Sequence, residues 1–493
     1  FYPDSFQDFS EASFGSLVLD AAAYVGDQLN FYLDYNINEA FLDTAYQYDN
    51  ILRHGRILGY KAEGRPSTFG TVTLFIIVPA STVALGPDEN YLPILRRGAR
   101  FTSSAGLSFI LSENVDFADP KNDVAIARND VTTGAPTHYA IRAYGNVVSG
   151  MLNQEEIEVG PYRRFKQVEL ATTNVSEIIS VFDSQGNEYY EVDYLAQDII
   201  FKELANNNYK NDNVPSIMKP FLVARKYVVE YQRDRTVLQF GSGNEAETNV
   251  VANPQSVAMD IYGKSYTTDK TFDPTKLSNN QNFGIVPSNT TLTIVYRSTN
   301  PTNSNVAVNG LTNVASRIFD YNKRSGLSSV KIKEVNDSLE ITNEKPILGD
   351  TSFLSSEELK RRVFDTFPTQ NRAVTQADYE NLAYRMPPKF GSIKRVSVQR
   401  DPDSQKRNLN MYVVSEDKFG KLEMTNNTIK KNLKTWLNNY RMLSDTVDIL
   451  DPFILNIGID FVIKPTPAAN KFVVLDRAIK EVRSRYTDTQ YIG

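Results

Sequence analysis

Residues 16–36 constrain the fold most, because their apolar side chains repeat every seven positions over most of a helical circumference. At about 100° per residue, the apolar rows together cover an arc of roughly 200°. A helix with so wide an apolar arc has to be covered from several directions. Its polar side is the aspartate row, Asp20, Asp27 and Asp34, which disfavours a membrane span because aspartate is costly in lipid. The apolar rows are Leu17, Tyr24, Phe31; Val18, Val25, Tyr32; Ala21, Gln28, Tyr35; Ala22, Leu29, Asn36; and Leu19, Gly26, Leu33.

A second helix is predicted over residues 38–58, where apolar side chains again follow helical spacing. Gly59 supplies the left-handed residue that commonly ends a helix. Residues 1–62 are therefore predicted to be a separate N-terminal helical segment. The apolar rows of the second helix are Phe41, Ala45, Tyr48, Leu52 and Thr44, Ile51, Leu58.

The middle of the chain changes from helical to strand patterns. Residues 63–245 contain short β-branched and aromatic runs between turn residues, and they include predicted hairpins at 99–117 and 223–240. Residues 246–345 are rich in Asn, Ser, Thr, Pro and Gly, which predicts a loop-rich excursion with some strands, such as residues 291–296. A strand-rich middle domain followed by long loops is the expected arrangement.

Residues 346–493 predict a smaller mixed domain. Helical patterns cover residues 355–367, 426–441 and 472–486, and a further helix begins at the cap Thr375 and stops before Pro387. Strand patterns at 393–399, 410–414 and 447–463 lie between them, which predicts helices on one face of a small antiparallel sheet. The whole chain is predicted to be an α+β multidomain protein with an N-terminal helical bundle segment, a strand-rich middle domain and this C-terminal domain.

Composition excludes several classes of protein. With 53 basic and 59 acidic residues, the net charge of −6 favours neither a nucleic-acid nor a membrane-surface role. The absence of cysteine excludes disulfides and thiolate chemistry. Because the chain starts at Phe1 without an initiator methionine and stops at Gly493 directly after a helical pattern, we expect it to be the interior of a longer polypeptide.

No constellation of residues predicts catalysis, a cofactor or a metal. The only histidines, His54 and His138, have no metal-ligand spacing, and Gly241-Ser242-Gly243 lacks the third glycine of a dinucleotide loop. Carboxylates that could belong to a glycosidase or a calcium site have no calcium-loop spacing. They are Glu155, Glu156, Asp116, Asp119 and Asp123.

Two stretches resemble the baseplate J-like proteins of contractile-tailed bacteriophages. The first runs from Ala22-Ala23-Tyr24-Val25 through Asn38-Glu39-Ala40-Phe41-Leu42-Asp43-Thr44-Ala45 to Arg56-Ile57-Leu58-Gly59-Tyr60. The second is Asn371-Arg372-Ala373-Val374-Thr375, followed by Asp378-Tyr379-Glu380 and Leu382-Ala383. Residues 186–198 and 239–243 look most like the larger baseplate wedge subunits of big myophages.

The resemblance implies a structural subunit of a tail baseplate wedge, located in the virion after assembly in the host cytoplasm. Such proteins join wedges into a ring around the hub and transmit the rearrangement that triggers sheath contraction. Implied partners are a second copy of the chain, a smaller wedge subunit sharing the helical bundle, a sheath-proximal baseplate protein, and hub and tube proteins. The family also implies a further C-terminal part after residue 493.

These considerations predict two sets of interface residues. Charged residues at the foot of the helices, Arg53 and Arg56, are expected to fix register with the aspartate row, Asp20, Asp27 and Asp34. The alternative to a bundle between chains is that the first helix packs on its own chain. The predicted bundle residues are Leu17, Val18, Ala21, Tyr24, Val25, Gln28, Phe31, Tyr32, Tyr35, Phe41, Tyr48 and Leu52.

A second class of function also fits the sequence. The strand-rich middle and the 27 tyrosines are compatible with a tail-associated glycan-binding or glycan-cleaving protein, since tyrosine can stack on sugars. Tyrosine is equally ordinary in strands. Saturable turnover of cell-wall or surface polysaccharides would favour this alternative over the structural subunit.

Overall fold

The computed structural model describes residues 14–61, 64–82, 85–206, 216–232, 235–244, 283–300, 302–321, 326–351, 354–403, 408–455, 458–466 and 470–486. The chain divides into two compact units, Phe1–Pro452 and Phe453–Gly493. The mixture of helices and mainly antiparallel sheets confirms the α+β class. The α-helices are α1 (Phe14–Glu39), α2 (Tyr48–Ile57), α3 (Ser329–Asp337), α4 (Ser356–Thr369), α5 (Gln376–Tyr384), α6 (Asn427–Asn438) and α7 (Lys471–Tyr486).

The strands are short and numerous, as the turn-rich sequence predicts. Short 3-10 helices lie at Glu89–Tyr91 and Pro388–Phe390. In chain order the strands are β1 (Phe69–Pro79), β2 (Ile94–Leu95), β3 (Arg100–Ser103), β4 (Ser108–Leu111), β5 (Val115–Asp116), β6 (Asp123–Asn129), β7 (Pro136–Ser149), β8 (Met151–Val159), β9 (Gln167–Glu169), β10 (Val175–Asp183), β11 (Glu188–Glu191), β12 (Ile199–Ala205), β13 (Ser216–Leu222), β14 (Lys226–Tyr231), β15 (Thr236–Phe240), β16 (Thr290–Ser298), β17 (Leu311–Ser316), β18 (Phe319–Asp320), β19 (Glu340–Thr342), β20 (Arg395–Arg400), β21 (Asn408–Glu416), β22 (Leu422–Met424) and β23 (Thr446–Leu450).

Two large sheets form the body of the first unit. The first has the order β17-β3-β4-β7-β1-β19, with β6 also on β7, and its long β1–β7 pair runs antiparallel from Phe69 opposite Val148 to Pro79 opposite His138. Its alternating apolar side chains, Val72, Leu74 and Ile76 among them, form one core that α3 covers through Val335. The second sheet has the order β8-β16-β10-β11-β14-β15-β9.

Strand β16 lies within the stretch predicted as a loop-rich excursion, yet it pairs with both β8 and β10 inside the second sheet. Its Leu292 and Ile294 are fully buried in that sheet's core. Most of the Asn- and Pro-rich remainder, residues 245–282, lies outside the described residues. The division into domains at residues 62, 245 and 345 stays a prediction.

The predicted C-terminal domain contains a third core between α5, α6 and the sheet β20-β21-β22 with β23 on β21. The cap of α5 is a complete capping box, in which Thr375 and Asp378 each bond to the other's backbone N–H. The sheet is mixed and not purely antiparallel as predicted, because β23 pairs with β21 in parallel. The strand predicted over 447–463 ends at Leu450, and the second unit contains α7.

The second helix is much shorter than predicted. The prediction of one helix over 38–58 is wrong, because α1 continues to Glu39, a turn follows, and α2 covers only Tyr48–Ile57. In the turn the Thr44 hydroxyl donates a 2.6 Å hydrogen bond to the Asn38 carbonyl. Side-chain bonds of this kind compete with the helical backbone ladder, so apolar spacing alone overstates the helix.

Candidate assembly interface

Helix α1 is a long helix whose sides the described chain leaves uncovered. Its 26 residues span about 39 Å at 1.5 Å per residue. Every residue from 17 to 34 is exposed, and Leu17, Tyr24 and Phe31 remain 64%, 66% and 63% accessible. The alternative that α1 packs along its own chain therefore has no support in the described residues.

The exposed residues include most of the predicted bundle set. Phe31 and Tyr35 stack one helical turn apart with ring centroids at 6.3 Å, and Tyr32 meets Phe31 edge-on at 5.9 Å. These rings form a continuous aromatic ridge at the C-terminal end of α1. The other predicted residues of α1 that remain exposed are Leu17, Val18, Ala21, Tyr24, Val25 and Gln28.

Glu39 joins α1 to α2. Its carboxylate accepts hydrogen bonds from the backbone N–H groups of Tyr46 at 2.8 Å and Gln47 at 3.0 Å, and from Nδ2 of Asn50 at 2.8 Å. His54 Nε2 lies 2.9 Å from the Glu39 carbonyl oxygen. The hydrogen bond from Asn50, followed by those from the two backbone groups, lowers the pKa of the Glu39 carboxyl below its usual value.

Sequence reasoning missed this function of Glu39. The residue lies within an apparently continuous helical pattern, and the groups that it satisfies lie up to eleven residues later, at Asn50. The apolar spacing predicts the start of the second helix at residue 38, so it gives no reason to connect the Glu39 carboxylate with the observed start of α2 at Tyr48. Because Glu39 satisfies the otherwise free N–H groups before α2, it ties the C-terminal end of α1 to the start of α2.

Helix α2 is anchored on α4, more than 300 positions later in the chain. Ala45 and Ile51 are fully buried with Leu359 and Val363 of α4. Gly55 permits the close approach, since a Cβ there would lie 2.9 Å from Cγ2 of Val363. The C-terminal end of α1 is thus connected, through α2, to α4 by a packed contact.

Some of the predicted bundle residues contribute to this anchor. Tyr48 and Leu52 are half-buried against the cluster on α4, whereas Phe41 stays exposed beside the junction. Lys360 Nζ also donates a 2.9 Å hydrogen bond to the Asp43 carbonyl. The anchor therefore uses part of the apolar surface that the sequence assigns to contacts between chains.

Among the described residues, Arg53 and Arg56 have partners other than the predicted aspartate row. Arg56 makes an ion pair with Glu230 of β14 at 3.3 Å, and Arg53 donates a 3.3 Å hydrogen bond to the Asn50 side chain. In the described part of the chain no ion pair involves the aspartate row. Arg53 and Arg56 are therefore occupied by neighbours other than the aspartate row of α1.

A cleft of about 750 Å³ lies beside the anchor, between α2, the second sheet and the turn at residues 387–389. Two ion pairs lie on its wall: Arg56 pairs with Glu230, and Lys61 pairs with Asp193. Glu191 also lines the cleft, and desolvation there raises the pKa of its carboxyl. Tyr60, Tyr194 and Tyr231 line it as well.

Several of the residues considered for catalysis or metal binding have structural partners. His138 lies 3.4 Å from Glu334, and its other ring nitrogen lies 3.2 Å from the Thr137 hydroxyl. Glu155 accepts a 3.2 Å hydrogen bond from the Tyr296 hydroxyl. Among the described residues no group of three or more His, Cys, Asp or Glu side chains could hold a metal ion.

The loop carboxylates Asp116 and Asp119 stabilise turns of the backbone. Asp116 accepts from the backbone N–H of Ala118 at 2.8 Å, and Asp119 accepts from that of Lys121 at 3.0 Å. Asp123 lies 4.0 Å from the guanidinium of Arg142. Hydrogen bonds of this type are typical of Asx turns.

Within the described residues no helix has the length and apolar character needed to cross a membrane. This finding includes α1, whose aspartate row interrupts its apolar surface.

Comparison with known proteins gives one match to a family. Residues 4–57 match the model of the family described as bacteriophage baseplate protein, N-terminal domain. The match spans the described parts of α1, the Glu39 junction and α2. The match supports a baseplate-related structural role. A search of curated proteins gives no match.

Two solved structures are similar over most of the chain. One is a chain of the type VI secretion system TssK-TssF-TssG baseplate subcomplex, with 8% identity, 88% of this chain and 95% of that chain covered, and a TM-score of 0.28. The other is a chain of the anti-feeding prophage baseplate, with 10% identity, 89% and 68% covered, and a TM-score of 0.25.

Proposed function

We propose that the protein is a structural, non-catalytic subunit of a contractile-tail baseplate, and that α1 is its principal assembly surface. The observation that carries this proposal is the exposure of every side chain from residue 17 to 34 within the segment that matches the baseplate family. Soluble monomers rarely leave an apolar surface of this extent uncovered. Other helices are the natural cover, because a helical surface packs best against helical ridges.

The energetics favour association through α1. Eleven large hydrophobic side chains on α1 are at least 50% exposed in the chain alone. Complete burial from full exposure contributes about 1.5–3 kcal/mol for each such side chain, and because these are only partly exposed, burying them would contribute on the order of 10–20 kcal/mol. That gain is comparable to the cost of bringing chains together, so one partner helix gives modest affinity and several give a stable bundle.

The anchor gives this surface a mechanical role. Force on α1 passes through the Glu39 hydrogen bonds to α2, and from α2 through Ile51 and Gly55 to α4. A packed contact of this kind moves as a unit, since interiors are dense and deform little. We infer that movement of a bundle during baseplate rearrangement is transmitted to the body by this path.

More specifically, we propose a J-like wedge subunit that joins wedges into a ring around the hub and transmits the trigger for sheath contraction. The proposed partners are a second copy of the chain, a smaller wedge subunit sharing the bundle, a sheath-proximal baseplate protein, and hub and tube proteins. The proposed location is the tail baseplate of the virion, after assembly in the host cytoplasm. The N-terminal match and the free surface of α1 support this assignment.

A double substitution on the exposed face of α1 tests the proposal. Tyr24→Glu with Phe31→Glu places charges where the bundle needs apolar contacts, and both sites are exposed, so the fold of the chain should survive. Co-expression with the neighbouring genes, followed by native mass spectrometry, should show affinity lowered by about a hundredfold.

The matched control is Ala23→Glu with Asn30→Glu, which adds the same charge on the polar side of α1. This variant should enter the same complexes as the unsubstituted chain. If the Tyr24→Glu, Phe31→Glu chain also enters them with unchanged stoichiometry, α1 is not the assembly surface and the proposal fails.

A further inference from the structure

The charge pattern of α1 says which kind of helix fits beside it, provided that α1 enters a bundle as proposed above. In a heptad labelled abcdefg, Leu17, Tyr24 and Phe31 occupy d positions when Ala21 and Gln28 occupy a. The aspartate row then falls on g in three successive heptads. Positions g and e flank the apolar seam and determine which partner helices are accepted.

The described chain provides no counter-charge for the aspartate row. All three side chains are exposed, and none takes part in an ion pair among the described residues. The nearest basic side chains in sequence are committed elsewhere, because Arg56 pairs with Glu230 and Arg53 bonds to Asn50. An acidic flank beside an apolar seam is therefore left open for another molecule.

A second α1 helix is a poor match for this flank. In an antiparallel pair, g positions face g positions, so the two aspartate rows would repel each other. In a parallel pair, g faces e of the partner, and the e row here is Val18, Val25 and Tyr32. Neither orientation of a second copy places a cation opposite an aspartate.

We propose that the aspartate row of α1 binds a helix of a different protein, one whose positions beside its own apolar seam carry lysine or arginine. The arc of roughly 200° leaves room for a second copy of this chain on the opposite flank, along the rows of Val18 and Ala22. The acidic flank thus selects the heterologous partner, while the uncharged flank accepts the identical one. Charge complementarity of this kind adds specificity and speeds association.

The test uses the full chain and two synthetic helical peptides with identical leucine seams at a and d. One peptide carries lysine at every e and g position, and the other carries glutamate there, so either helix orientation is sampled. Fluorescence anisotropy at low salt should show the lysine peptide bound about tenfold more tightly than the glutamate peptide. The preference should shrink at 1 M salt, because the Debye length is then about 3 Å and charges farther apart than that are largely screened.

Charge reversal should invert the selectivity. In the chain with Asp20→Lys, Asp27→Lys and Asp34→Lys, the glutamate peptide should become the preferred ligand. The charge-matched control reverses three exposed carboxylates away from α1, with Glu89→Lys, Glu156→Lys and Glu158→Lys, and should keep the original preference. Circular dichroism of both variants checks that the fold is retained.

Three results would overturn the inference: equal affinity for the two peptides, preference of the unsubstituted chain for the glutamate peptide, or binding of neither peptide. Failure of the proposed function has a different signature, because it appears as complexes that survive Tyr24→Glu with Phe31→Glu. Complexes that depend on α1 but show no charge preference would leave the assembly role standing and remove only the basic partner helix.

Discussion

Helices α1 and α2 lie in the same N-terminal segment but have opposite surroundings. Helix α1 exposes every side chain from residue 17 to 34, whereas α2 buries Ile51 and Gly55 against α4. The difference follows from the width of the apolar arc. A narrow stripe, as on α2, is covered by one neighbouring helix of the same chain, while no element among the described residues covers the broad arc of α1.

The largest expected difference comes from truncating one side chain on each helix. Ile51→Ala leaves a cavity between α2 and α4 and should destabilise the chain by about 2–5 kcal/mol. Leu29→Ala, at a site 60% exposed on α1, should change stability by no more than about 0.5 kcal/mol. Urea denaturation followed by tryptophan fluorescence measures both. Equal losses would mean that α1 is packed within its own chain.

Substituting alanine for one glycine of each helix sharpens the comparison. At Gly55 the new Cβ would lie 2.9 Å from Cγ2 of Val363, so Gly55→Ala should cost about 1–3 kcal/mol. At Gly26 a Cβ meets nothing within 4 Å, and Gly26→Ala should stabilise α1 by about 0.5–1 kcal/mol through helix propensity.

Thermal denaturation and the helical signal in circular dichroism report the two effects. Adding Val363→Ala should recover part of the loss at Gly55, because it removes the colliding methyl group. A Gly55→Ala chain as stable as the unsubstituted protein would show that α2 can move away from α4 at little cost.

The smallest expected effect concerns the junction between the two helices. The pKa of Glu39 is lowered in the folded chain, so its stabilising contribution is present above the ordinary value of 4.5 and is lost as the pH falls through the folded pKa. Hydrogen exchange at the amides of Tyr46 and Gln47, corrected for intrinsic rates, should show protection decreasing in that acidic range. Glu39→Gln should lower the protection at neutral pH and remove its pH dependence. Unchanged protection in the variant would assign the junction to backbone packing alone.

The sequence predicts the elements with short-range signals well. The hairpin around residues 103–106 and the α5 helix from its Thr375 cap are confirmed. Alternating side chains and capping residues act within a few positions, so their outcome is visible locally. The prediction of one helix over residues 38–58 is wrong, because the apolar spacing continues through a turn that Glu39 and Thr44 stabilise with hydrogen bonds.

What the sequence alone determined is the composition of the N-terminal surface: an apolar arc with an acidic row, on a helix that its own periodicity defines. Which part of that surface stays free was decided only by tertiary structure. Tyr48 and Leu52 share the apolar character of Tyr24 and Phe31, yet they pack against a helix more than 300 residues away. Periodicity describes which faces of a helix avoid water, but the neighbour that covers each face depends on contacts between distant parts of the chain.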